Sequence, residues 1–70
     1  MRRNSDTTSK RILKILREAS EPLETKELEL ILKDVTRVKL LYRLNMLRGD
    51  GLIKGKVVGS GKGTWIWWKK

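Results

Sequence analysis

Between Arg37 and Lys62 the chain carries the side chains best suited to do chemistry: Arg37, Lys39, Tyr42, Arg43 and Met46, then Lys54, Lys56 and Lys62. Their types suit the recognition of a polyanion. A guanidinium can bridge guanine O6 and N7 or two phosphate oxygens, whereas an ammonium is a point charge that needs no fixed geometry. Tyr and Met add contact with a sugar or a thymine methyl. Lys62 stands in Gly59-Ser60-Gly61-Lys62-Gly63, whose glycines let a backbone come close to a phosphate. The GxxxxGK[ST] spacing of a nucleotide-binding loop is absent and no helical pattern follows, so a nucleotide site is not expected.

Other chemistries have little to stand on. The 70 residues contain no Cys and no His, which removes disulfides, thiolate nucleophiles and the usual metal ligands. No carboxylate pair falls in an apolar setting, and Ser60 beside Lys62 lies in a glycine loop too mobile to preorganise a reaction. Neither enzyme activity, cofactor nor metal is expected. One small domain is implied, and its core must come from aliphatics and three tryptophans. No apolar run reaches the roughly 18 residues of a membrane span, and no secretory signal is visible. A soluble, cytoplasmic and nucleoid-associated location is the expectation. Gln is missing and only two Asn occur beside abundant charge, a pattern that hyperthermophile proteins, including archaeal ones, share.

Charge is segregated along the chain. The net charge of +9 divides into +5 over residues 1–17, −4 over 18–34 and +8 over 35–70. Such blocks predict a basic side and an acidic side on the folded domain. The acidic strip Glu18, Glu21, Glu24, Glu27 and Glu29 would repel DNA, so it is expected to turn away from phosphate or to dock a basic protein.

Three helices and a hairpin must position these groups. Residues 1–7 lack apolar periodicity and are expected to form a flexible basic arm, with Arg2 and Arg3 able to follow a groove beside Lys10 and Arg11. Thr8 or Ser9 caps a first helix to about residue 20, with Ile12, Ile15, Leu16 and Ala19 as its apolar stripe. Pro22 stops it. Thr25 is the expected N-cap of a second helix that buries Leu28, Ile31 and Leu32 and ends near Lys33. Lys33-Asp34-Val35 holds no Gly or Pro, so a single helix over 25–48 is conceivable. Thr36 as an N-cap, with Val35 and Leu40 as a hydrophobic staple, favours a break. The third helix, 37–48, buries Leu40, Leu44 and Leu47, with Lys39, Tyr42, Arg43 and Met46 expected near the opposite side, and Gly49 or Gly51 ends it. Residues 52–58 and 64–68 alternate as strands around the glycine loop. Trp65 and Trp67 are expected inward and Trp68 outward.

This order of parts resembles the winged helix-turn-helix domain of small bacterial and archaeal regulators. The likeness rests on Leu44-Asn45-Met46-Leu47-Arg48-Gly49-Asp50-Gly51-Leu52-Ile53 and on Pro22-Leu23-Glu24-Thr25-Lys26-Glu27-Leu28, and spans residues 8–70. It implies an α+β fold of three helices followed by a two-stranded β-hairpin wing. It further implies double-stranded DNA binding, as a transcriptional regulator or chromatin-associated factor, by a monomer or homodimer. Lys39, Tyr42, Arg43 and Met46 would then meet bases, and Arg37, Lys54, Lys56, Lys62, Arg2 and Arg3 the backbone. The chain departs from the family pattern in having Asp34 where a turn glycine is usual. Two alternatives stay open. One is a protein-interaction winged helix using an exposed Trp68 or the acidic strip Glu18–Glu29, and the other is RNA binding by stacking on Tyr42 and a tryptophan.

Overall fold

A computed structural model describes residues 7–70, and Arg2 and Arg3 of the expected arm lie outside the described residues. The order is α1 (Thr7–Glu18), β1 (Leu23–Glu24), α2 (Thr25–Ile31), α3 (Arg37–Gly49), β2 (Ile53–Val58) and β3 (Thr64–Lys69). The three strands make one antiparallel sheet in the order β1-β3-β2. The α+β class and the three helices match expectation, but the sheet has a third strand. Leu23 and Glu24, expected only to lead into α2, pair with Trp67 and Ile66. Two residues are too short to read as a strand from periodicity; they become one because β3 offers them an open edge.

α1 and α2 start and stop differently from expectation. Thr7, placed in the arm, is helical, and Thr8 and Ser9 are buried inside the helix rather than capping it. The regular helix ends at Glu18, with Ala19 N–H still bonded to the Ile15 carbonyl at 3.0 Å. Glu24, not Thr25, is the N-cap of α2. Its backbone is extended, and Glu27 Oε1 accepts its N–H at 2.7 Å, as the N3 acid of a capping box does. Thr25 is freed for another task, because its Oγ1 accepts the indole N–H of Trp67 at 2.9 Å.

The break between α2 and α3 is real. Leu32 leaves helical geometry after its N–H bonds Leu28, and Val35 N–H then closes the turn on the Leu32 carbonyl at 3.0 Å. No non-glycine among the described residues has positive φ, so the turn needs no glycine. Asp34 instead receives both Nη groups of Arg11, at 2.8 and 2.9 Å, which ties the turn to α1. Arg11 therefore serves the fold rather than a basic arm. Thr36 caps α3 as expected, accepting Lys39 N–H at 3.2 Å. α3 ends in a Schellman motif: Leu52 N–H reaches Leu47, Gly51 N–H reaches Arg48, and Gly51 holds φ of 77°.

The core lies between the helices and one face of the sheet. Ile12 and Leu16 of α1, Leu28 and Leu32 at α2, Leu40, Leu44 and Leu47 of α3, Ile53 and Trp67 are buried together. Ile31, expected in this set, is 52% exposed, because so short a helix turns only one stripe inward. Trp67 is the largest member. Leu23, Trp67 and Gly55 form one row across the sheet, and the Trp67 ring lies directly over Gly55.

A Cβ built on Gly55 would fall 2.5 Å from Trp67 Cε3. Gly55→Ala should therefore destabilise the domain by about 1–3 kcal/mol, read as a lower urea midpoint with altered tryptophan emission. The Arg11 guanidinium, by hydrogen bonding, holds the Asp34 carboxyl below its ordinary value, and Asp34 raises Arg11 in turn. A carboxylate lowered by folding stabilises above its ordinary pKa and loses that contribution as pH falls through the folded value. Asp34→Asn should therefore lower the urea midpoint at pH 7, and the gap to wild type should close below about pH 4.

Candidate nucleic-acid interface

Two elements project polar and charged groups toward one another: α3, and the end of the hairpin around residues 59–65. Between them runs a groove of about 720 Å³, with α2 forming its floor at one end. α3 contributes Arg37, Leu41 and Asn45, four residues apart and so on one stripe. The hairpin contributes Lys62, Gly63, Thr64 and Trp65. The tip can fold back this tightly because Gly63 sits at φ of 69°, with its missing side chain pointing at Val57.

The residues expected to make contact divide in two. Arg37 and Lys62 line the groove from opposite walls, although 25 positions separate them in the chain. Lys39 and Tyr42 are exposed on α3 outside the groove, with Tyr42 57% exposed. Arg43 and Met46 are not presented outward as expected. Arg43 lies four residues before buried Leu47, only about 40° round the helix, so it borders the core stripe. Its Nε is buried, its Nη1 points at Met46 Sδ at 3.8 Å, and its guanidinium lies 5.4 Å from the Tyr42 ring centre. The true outward midline of α3 holds Val38, Tyr42 and Asn45, with Val38 80% exposed. Lys54 and Lys56 are exposed opposite Trp68 and Ile66, on the face of the sheet turned from the core.

Several groove residues escaped the sequence reading. Asn45 donates to the Leu41 carbonyl at 2.9 Å, and Arg48 reaches its Oδ1 at 3.5 Å. The spacing of Arg37, Leu41, Asn45 and Arg48 was a signal in the sequence, a second stripe beside the core one. Lys26 enters from α2, which no local pattern foretells. The acidic strip is also redistributed. Glu18, Glu21 and Glu27 are exposed outside the groove, whereas Glu24 and Glu29 line it, against the expectation that all five turn away. Glu29 is ion-paired with Arg37 at the groove wall.

The tryptophans share the work differently from expectation. Trp65 and Trp67 do face the same side and stack, with centroids 5.2 Å apart and planes 20° from parallel. Trp67 is buried, whereas Trp65 is 37% exposed, with the guanidinium of Arg48 on α3 5.2 Å from its ring centre. Trp68 is half-buried on the other face, where it lines a notch with Ala19 and Pro22.

Among the described residues no group of His, Cys, Asp and Glu could hold a metal, and no helix is long and apolar enough to cross a membrane. Comparison with known proteins returns no matching family model, and no significant match among curated proteins or solved structures.

Replacing Glu29 by Gln removes one carboxylate from the groove and releases Arg37 from its ion pair. The variant should elute from a heparin column at higher salt than wild type. It should also elute later than Glu21→Gln, which makes the same change of charge outside the groove. Equal elution of the two variants would show that the position of the pair does not matter.

Proposed function

We propose that this chain is a winged helix-turn-helix domain that binds double-stranded DNA, with α3 in the major groove and the β2–β3 hairpin as a basic wing against the backbone. The observation that carries the reading is the facing placement of Arg37 on α3 and Lys62 on the hairpin tip across one groove. Cations from two separate elements then meet the same polyanion at two points, which fixes orientation as well as affinity. The α+β architecture, the short turn between α2 and α3 and the hairpin after α3 are compatible with that arrangement.

Roles follow from placement. Arg37, Lys62 and Lys26 meet phosphate at the groove, while Lys54 and Lys56 add to the field from the outer sheet face. Lys39, Tyr42 and Asn45 are the side chains of α3 best placed to reach base edges, with Val38 able to pack on a thymine methyl. Arg43 acts mainly by holding Tyr42 and Met46, and only a rearranged guanidinium would reach a base. A small transcriptional or chromatin-associated factor is the class this describes.

A second reading has its own observation. Leu30, Ile31 and Val38 are each more than half exposed, which is unusual for aliphatics on two adjoining helices. A protein-interaction domain would use such side chains. Its binding would be insensitive to salt, and charge changes at Arg37 or Lys62 would leave it intact.

The deciding measurement is fluorescence anisotropy on random and selected duplexes across a salt series. With four to six phosphate contacts, log K should fall against log salt with a slope of about −4 to −5. Lys62→Ala should weaken all duplexes alike and reduce the slope by about 1, whereas Tyr42→Ala and Asn45→Ala should weaken selected duplexes most. A flat salt dependence would exclude the DNA reading and favour the protein-interaction one.

A further inference from the structure

We propose that the groove between α3 and the hairpin takes one unpaired DNA base, stacked on Trp65, so that the domain prefers duplexes with a single-stranded end. This rests on the DNA-binding reading above and adds a ligand to the groove that continuous duplex does not supply.

Size is the first support. The groove, of about 720 Å³ and open to solvent on one side, has room for a planar ring as well as for a phosphate. The second is Trp65. Its ring lines the groove, remains 37% exposed and is braced by Trp67 with a centroid separation of 5.2 Å. Trp67 is in turn locked by Gly55 against its ring and by the hydrogen bond to Thr25. An indole held in this way stacks on a planar ligand with little loss of side-chain freedom, the base taking the place of the Arg48 guanidinium that lies 5.2 Å from the ring centre.

The third support is the mixture of charges. A channel serving only phosphate gains nothing from carboxylates, yet Glu24 and Glu29 line this one. A base differs from a phosphate in carrying amino donors as well as acceptors on its edges. Glu24 and Thr64 offer partners for such an edge, and Lys62 and Arg37 can hold the phosphate attached to the same nucleotide. The aromatic surface, the hydrogen-bonding groups and the cations thus correspond to the three parts of one nucleotide.

The test compares one duplex in three forms: blunt, with a three-nucleotide overhang, and with the same overhang made abasic. Wild type should bind the overhang form about tenfold more tightly than the blunt form, within the range expected for stacking one base. The abasic form should lose that advantage while keeping its phosphates. Trp65→Ala should bind all three forms equally, Trp65→Phe should retain most of the preference, and Trp68→Ala should retain it fully. Tryptophan emission of wild type should be quenched by the overhang and not by its abasic version.

Equal binding of the three forms by wild type overturns the proposal even if Trp65→Ala does not fold. So does a preference that survives in Trp65→Ala. Intact blunt binding in those cases leaves the duplex reading standing, whereas absence of binding to every form overturns both.

Discussion

The hairpin is held to the helices chiefly through one side chain, Trp67, which is clamped from three sides. Its ring covers Gly55 on β2, its backbone pairs with Leu23 on β1, and its indole N–H is satisfied by Thr25 at the start of α2. A buried indole without that acceptor would leave a donor unpaired, and a side chain at position 55 would push the ring out. The clamp fixes β3 to the helical layer, and with it the distance between the hairpin tip and α3. The groove is a consequence of that fixed distance. Lys69 adds a second tie, donating to the Arg17 carbonyl at the end of α1, where a cation meets the negative end of the helix dipole.

Charge is organised by the same packing. The blocks of basic and acidic sequence do not become two clean sides. Asp34 is drawn to Arg11 and Glu29 to Arg37, so the acidic segment stitches α1, α2 and α3 together before it repels anything. These pairs are exposed and modest individually, but they lower the self-repulsion of a chain with net charge +9. They also decide which cations are available. Arg37 is paired with Glu29, whereas Lys62 stands on the loop between β2 and β3.

Much of the secondary structure could be read from residues. Thr36 as a cap, Leu40, Leu44 and Leu47 as one stripe, and Gly51 after the third helix are local chemistry, and they hold. Thr25 shows the limit. Its type suits an N-cap, but the Glu24–Glu27 pair takes that role, and a tryptophan 42 positions away claims the hydroxyl. Ile31 shows another: its hydrophobicity says core, but α2 is only seven residues long and exhausts its inward positions at Leu28 and, just past its end, Leu32. On α3 the buried stripe was legible and its opposite was not. Arg43 stands only about 40° round the helix from Leu47, so it borders the core rather than the outward face.

The amino-acid sequence by itself determined the helices, the break at Thr36, the hairpin and its glycine-rich tip, because each follows from interactions within a few residues. It also determined the excess of positive charge and the absence of thiol and imidazole chemistry, which are matters of composition. Only the tertiary structure decided that Leu23 and Glu24 form a strand, that Trp65 stays exposed while Trp67 is sealed, and that Arg37, Glu29 and Lys62 line one groove. Those outcomes depend on which surfaces meet when the sheet closes over the helices. A meeting of surfaces joins residues far apart in the chain, and no local pattern carries that information.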